Sequence, residues 1–261
     1  MLATNWLSED RDPAQPVLVF LHGLLGSSQD WLPIIPYLKQ YACLGIDLPG
    51  HGGSRHIAGQ NFDHTCQLID NSLQNVIAPD RKIVLIGYSL GARLAMYGVA
   101  QNKWPSLRLV GCILEGGNFG LTGDNDKQTR WKNDKAWAQR FASQPIEQVL
   151  ADWYQQAVFK SLNQKQTQAL IAKRTDNSGE MIAEMLQATS LAKQPYLLHT
   201  LQQLSTLRVH YVCGELDSKF TRLAQSSKLF YSQIAQAGHN VHQEQPQAFA
   251  QVVQQVVAKL N

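Results

Sequence analysis

Continuous apolar runs of four to six residues recur along the chain and stop at glycine or a polar turn. Val17–Leu21 ends at His22-Gly23, residues 83–86 at Gly87 and residues 209–213 at Gly214; residues 42–46 and 109–114 have the same character. Apolarity without alternation predicts strands covered on both faces, as in a parallel sheet. Phe62–Val76 and Leu90–Ala100 read as helices between these runs, so strand and helix alternate and a doubly wound α/β fold is expected. The alternation breaks over residues 118–199. That stretch is rich in Gln, Trp, Lys and Arg, offers no convincing strand, and spaces Trp137, Phe141, Val149, Leu150 and Trp153 as short amphipathic helices would. The pattern divides the chain into a core, residues 1–117 and 200–261, and a helical lid inserted over the sheet at 118–199. A last strand is expected at 231–235, followed by a closing helix at 247–260 with Pro246 in its first turn.

With 261 residues, 44% hydrophobic and 16% charged, the chain can bury one large core, which argues against a disordered, collagen-like or coiled-coil protein. Lys plus Arg at 23 against Asp plus Glu at 20 leaves +3, too small and too scattered an excess for a nucleic-acid or membrane-surface protein. The N-terminus has no basic region followed by an apolar stretch, and no apolar run approaches the roughly 18 residues of a membrane span. A cytoplasmic protein with no nucleic-acid partner and no membrane insertion is expected; protein partners are not legible. Cys43, Cys66, Cys112 and Cys213 lie in apolar surroundings without a CxxC pair and read as buried free thiols of a reducing compartment.

The strongest chemical signal is Gly87-Tyr88-Ser89-Leu90-Gly91, a G-x-S-x-G where a buried strand meets a helix. Such a serine occupies a strained turn, and the glycines admit other backbone without a Cβ clash. It needs an imidazole to take its proton and a carboxylate to fix that imidazole's tautomer. His239, in Ala237-Gly238-His239-Asn240, follows the last expected strand, and Asp217 follows the strand ending at Gly214. The order Ser89, Asp217, His239 is that of the α/β-hydrolases. Rivals remain: Glu215 for Asp217, which also fits a plain turn or helix cap, and His242 for His239. His51, in Pro49-Gly50-His51-Gly52-Gly53, fits a brace for a glycine turn, while His56, His64, His199 and His210 read as surface or structural residues. An oxyanion hole needs two backbone N–H groups; Leu90 offers one at the start of its helix and Leu24, in His22-Gly23-Leu24-Leu25-Gly26, the other, although a plain glycine turn has the same sequence.

Phe20-Leu21-His22-Gly23, Asp47-Leu48-Pro49-Gly50-His51-Gly52, the serine pentapeptide with Ala92-Arg93, and Gly238-His239 together resemble the α/β-hydrolase superfamily. Glu115-Gly116-Gly117, Ala151-Asp152-Trp153-Tyr154-Gln155-Gln156, Ala188-Thr189-Ser190-Leu191 and Cys213-Gly214-Glu215-Leu216-Asp217-Ser218-Lys219-Phe220 resemble, more narrowly, the 2-succinyl-6-hydroxy-2,4-cyclohexadiene-1-carboxylate synthases of menaquinone biosynthesis. The likeness runs from about Val17 to the closing helix, with Ala92 standing where a second glycine is frequent. It implies an α/β-hydrolase fold and a lyase that expels pyruvate from 2-succinyl-5-enolpyruvyl-6-hydroxy-3-cyclohexene-1-carboxylate, with Ser89 acting as a base. It also implies that Arg130 and Arg174 bind substrate carboxylates and that Tyr88, Trp153 and Tyr154 line the pocket. Arg93 has support of its own: four residues after Ser89 it lies one helical turn along on nearly the same face, an unusual place for a charge in a site built for apolar esters. For Arg130 and Arg174 the ordinary alternative is a solvated helix charge.

No metal or organic cofactor is expected, since no zinc-ligand spacing, P-loop or dinucleotide fingerprint is present. Two other functions compete with the lyase: a serine hydrolase cleaving an ester, thioester or C–C bond through an acyl-Ser89, and a non-catalytic binding protein on the same scaffold.

Overall fold

A computed structural model describes residues 1–9 and 12–260. Seven strands form one sheet: β1 Thr4–Trp6, β2 Val17–Leu21, β3 Cys43–Ile46, β4 Ile83–Tyr88, β5 Leu109–Glu115, β6 Arg208–Gly214 and β7 Phe230–Ile234. Their order across the sheet is β1-β3-β2-β4-β5-β6-β7, with every pairing parallel except β1 on β3. The strands expected from apolar runs are all present, the last displaced by one residue. β1 was not foreseen: three residues of mixed polarity, Thr4, Asn5 and Trp6, give no strand signal, and pairing with Leu44 to Ile46 supplies what local pattern lacks.

The continuous apolar runs are accounted for by packing on both faces. Val17, Val19 and Leu21 of β2 face one core, shared with α1 Phe62–Val76 and α2 Leu90–Ala100, while Leu18 and Phe20 face a second. The chain between β5 and β6 forms α3 Asp124–Ser143, α4 Ile146–Trp153, α5 Gln164–Arg174, α6 Gly179–Ala188 and α7 Leu198–Gln203. Helices α3 to α6 build a third cluster, including Phe141, Val149, Leu150, Leu170 and Ile182, which Leu25 of the loop after β2 joins, whereas Leu198 and Leu201 of α7 join the sheet core. The expected lid boundary at residue 199 thus falls inside α7, a helix that packs with the core. After β6 come α8 Ser218–Ser226, α9 Val241–Glu244 and α10 Pro246–Val257. Pro246 sits at the first turn of α10, and Phe249, Val253, Val256 and Val257 bury one stripe against the second face of the sheet. No helix is long and apolar enough to cross a membrane among the described residues, and the four cysteines are free and buried.

Candidate active site

The turn from β4 into α2 holds Ser89 at φ 50° and ψ −105°. A non-glycine residue keeps such a conformation only where its surroundings over-determine it. Here the Ser89 N–H donates to the Glu115 carbonyl of β5 at 2.8 Å, and the Ser89 carbonyl accepts the Arg93 N–H at 3.0 Å to open α2. A Cβ on Gly91 would lie 2.1 Å from the Leu21 carbonyl oxygen, so only glycine lets α2 start against the end of β2.

His239 is brought beside this turn from the loop after β7. Its Nδ1 lies 2.8 Å from Asp217 Oδ2, and both side chains are buried. A proton held between Nδ1 and the carboxylate leaves Nε2 as the acceptor for a hydroxyl proton. Asp217 is also the N-cap of α8, its Oδ1 accepting the Phe220 N–H at 3.2 Å, so the helix cap and the candidate acid are one residue. The rival acid Glu215 is exposed and accepts the Gln236 N–H instead. The rival base His242 is buried, bonded through Nδ1 to Glu115 at 2.8 Å and stacked on Trp31 at 4.3 Å. Among the described residues, Asp217 and His239 of the candidate triad are hydrogen-bonded, and Ser89 Oγ makes no hydrogen bond to the ring. Gly116, at φ +58°, leaves room for that ring: a Cβ there would stand 2.7 Å from His239 Cε1.

Ser89 opens on a cavity of about 100 Å³ whose walls include Leu24, Leu90, Arg93, Arg130, Trp153 and Lys219. No Asp or Glu lines it among the described residues. The Arg93 guanidinium donates to the Thr189 carbonyl at 2.7 Å and to Gln194 Oε1 at 3.4 Å, neutral partners only. Burial, with the nearby Arg130 charge, lowers its pKa to about 9. Arg130 is aimed by Asp134, which accepts from Arg130 Nε at 2.8 Å and from Ser190 Oγ at 2.7 Å.

The loop after β2 is set by two buried histidines. His22 Nε2 accepts the Leu48 N–H at 2.9 Å and Nδ1 donates to the Gly23 carbonyl at 2.7 Å. His51 Nε2 accepts the Leu25 N–H at 2.9 Å and Nδ1 donates to the Pro49 carbonyl. Burial lowers both pKa values, that of His51 to about 3, and in each ring one nitrogen accepts an N–H while the other faces a carbonyl, the pattern of a neutral imidazole. With the Leu25 N–H committed to His51, the Leu24 N–H has no hydrogen-bond partner among the described residues, and the Leu90 N–H, in the first turn of α2, has none within its helix. His51 is the brace expected from the sequence; the role of His22 was not legible, because its partner Leu48 is 26 residues away.

The alpha/beta hydrolase fold family model matches residues 16–246. The 2-succinyl-6-hydroxy-2,4-cyclohexadiene-1-carboxylate synthase of Yersinia pseudotuberculosis serotype O:1b (strain IP 31758) is 47% identical over 250 residues, covering 95% of this chain and 90% of that one. The synthase of Yersinia enterocolitica serotype O:8 / biotype 1B (strain NCTC 13174 / 8081) is 47% identical over 94% of this chain and 88% of its own. Among solved structures, MenH from S. aureus superimposes with a TM-score of 0.89 at 27% identity, covering 98% of both chains. This chain belongs to the 2-succinyl-6-hydroxy-2,4-cyclohexadiene-1-carboxylate synthase family. A thermophilic esterase from Thermogutta terrifontis shares only the fold, at a TM-score of 0.80 and 20% identity over 99% of this chain and 93% of the esterase.

Of the six side chains expected from the sequence to meet substrate, Arg93 from its spacing and the others from the resemblance, the cavity wall gathers Arg93, Arg130 and Trp153 and leaves out three. Arg174 is buried in an ion pair with Asp30, Nη2 to Oδ2 at 2.6 Å, and borders a separate cleft beside Leu25 and Gly26. Tyr154 packs on Phe159 at 4.9 Å beside Arg174, and burial raises its pKa. Tyr88 is wedged between His239 and His242, with ring centroids at 5.3 and 4.8 Å. In this arrangement Arg174 is turned toward Asp30 because a buried guanidinium needs a carboxylate, and Asp30 offers one. Lys219 was not assigned from the sequence; only its place two residues beyond the triad acid hinted at it.

Proposed function

We propose that Ser89, His239 and Asp217 drive the elimination of pyruvate from 2-succinyl-5-enolpyruvyl-6-hydroxy-3-cyclohexene-1-carboxylate, the lyase activity of the family. The bond changes follow from the substrate and product. The ring hydrogen at C2, next to the succinyl ketone, is lost; a C2=C3 bond forms, the C3=C4 bond moves to C4=C5, and the C5–O bond breaks to release the enol of pyruvate. His239 takes the Ser89 hydroxyl proton as Asp217 stabilises the resulting imidazolium, and the Ser89 oxygen removes the C2 proton. The N–H groups of Leu24 and Leu90 receive the charge that enolisation places on the ketone oxygen, a contribution worth roughly 10²- to 10³-fold in rate per donor. Arg93 and Arg130 hold substrate carboxylates, Trp153 covers the ring, and α3 to α6 form the lid.

The observation that carries this reading is Arg93, a half-buried cation without a carboxylate partner one helical turn from Ser89. An esterase for apolar substrates gains nothing from it, whereas a tricarboxylate neutralises it. A small tricarboxylate is the substrate partner, and four buried free thiols suit a cytoplasmic enzyme. The test is incubation with the enolpyruvyl substrate: pyruvate and the ultraviolet absorbance of the diene should rise together. Folded protein that turns over no faster than buffer, or that accumulates an acyl-Ser89 and hydrolyses esters instead, would overturn the reading in favour of the binding-protein or hydrolase alternative.

A further inference from the structure

The Ser89 cavity carries a third cation besides Arg93 and Arg130: Lys219, on the first turn of α8, two residues beyond the triad acid. Arg93 is satisfied by Thr189 and Gln194, and Arg130 by Asp134. Lys219, by contrast, makes no hydrogen bond and no ion pair among the described residues; its ammonium rests over the Phe220 ring at 5.4 Å, and Phe220 in turn packs on His239 at 4.7 Å. Its surroundings disfavour its charge: desolvation at the cavity mouth lowers its pKa, the Arg130 guanidinium lowers it further, and only Asp217 opposes. A cation placed at a helix N-terminus is doubly out of place, since that end of the helix attracts anions. The position costs stability, and an anion arriving in the cavity would relieve it.

We infer that Lys219 is a substrate-binding residue that holds one of the substrate's three carboxylates, completing with Arg93 and Arg130 a set of three cations for three anions. The inference rests on the lyase reading of the site. It also explains how the cavity matches a tricarboxylate while Arg174 is committed to Asp30. The strongly hydrated, flexible ammonium at the exposed mouth suits an entering carboxylate that keeps part of its water, whereas the two guanidinium groups lie deeper.

The experiment compares wild type, Lys219→Met and Lys219→Arg on the enolpyruvyl substrate and on its three monoamides, each with one carboxylate neutralised. Because Lys219 makes no hydrogen bond or ion pair and its position costs stability, Lys219→Met should melt at or above wild type. It should raise KM for the substrate roughly 10- to 100-fold, the range for losing a charge-assisted hydrogen bond, while leaving kcat near wild type. Lys219→Arg should recover most of the loss. One monoamide, and only one, should be handled alike by wild type and Lys219→Met, because its missing charge is the partner of Lys219. An unchanged KM in Lys219→Met, or the same KM penalty on all three monoamides, would overturn the inference. A wild-type enzyme that releases no pyruvate would instead overturn the lyase reading, so the two failures are separable.

Discussion

Arg174 on α5 and Asp30, in the segment after β2, form an ion pair of 2.6 Å across 144 residues of sequence, with both side chains less than a tenth exposed. Burial alone would raise the Asp30 pKa, but the Arg174 charge and hydrogen bond outweigh it and the carboxyl stays below its usual range. The pair ties α5 to the segment after β2. Arg174→Ala should therefore destabilise the protein by about 3–5 kcal/mol, because a buried carboxylate is left uncompensated. Chemical denaturation measures it, and Asp30→Asn in the same chain should restore part of the loss. An Arg174→Ala protein of wild-type stability with a raised KM would instead place Arg174 on substrate.

His51 makes stability depend on acid. Its folded-state pKa of about 3 lies well below the 6.5 of an exposed imidazole, so between these values the unfolded chain binds a proton that the native chain refuses. Stability from this group is complete above pH 6.5 and falls as pH drops toward the folded value, losing about 2 kcal/mol by pH 5. His51→Gln keeps an acceptor for the Leu25 N–H but cannot titrate. The difference in unfolding free energy between pH 7 and pH 5 should shrink by that amount in the variant; an identical difference would show that His51 is not buried neutral.

Gly116→Ala should damage catalysis more than binding. The added Cβ meets the His239 ring, and alanine also resists φ +58°. Displacing the imidazole by about 1 Å costs on the order of 10²-fold in kcat. Steady-state kinetics should show kcat reduced with KM little changed, whereas a variant with wild-type kcat would mean that the ring has room to spare.

The sheet was legible because its strands are buried on both faces, so Val17–Leu21 and its counterparts read as unbroken apolar runs. The positions of the candidate nucleophile and acid were legible for a related reason: Ser89 and Asp217 follow such runs, where backbone geometry demands glycine or a polar turn, whereas His239 follows β7, a mixed and largely exposed strand. What escaped lies in long-range partnerships. Nothing local distinguishes Arg174, held by Asp30, from Arg130, which faces the cavity, since both are arginines on helices between β5 and β6. The commitment of the Leu25 N–H to His51, which leaves the Leu24 N–H without a partner, is likewise set by a contact 26 residues apart. β1 escaped because three residues cannot carry a period.

Arg93→Ala should lower both affinity and rate, costing roughly 2–5 kcal/mol in kcat/KM if the carboxylate it binds is desolvated. Its guanidinium has only neutral partners, so the protein should lose roughly 1–3 kcal/mol of stability from the buried Thr189 and Gln194 acceptors left behind, less than in Arg174→Ala. Kinetics and thermal melting of one preparation check both statements, and an Arg93→Ala enzyme with normal kcat/KM would remove the main argument for an anionic substrate.

The most direct test of Ser89 as a carbon base is single-turnover release of pyruvate from substrate carrying deuterium at ring C2. The account predicts slower pyruvate release than from the protium substrate, the same slowing in diene absorbance, no covalent adduct by intact mass, and loss of the reaction in Ser89→Ala by roughly 10²- to 10⁴-fold. Pyruvate release by Ser89→Ala at the wild-type rate, or an acyl-serine mass that forms and decays with turnover, would contradict it.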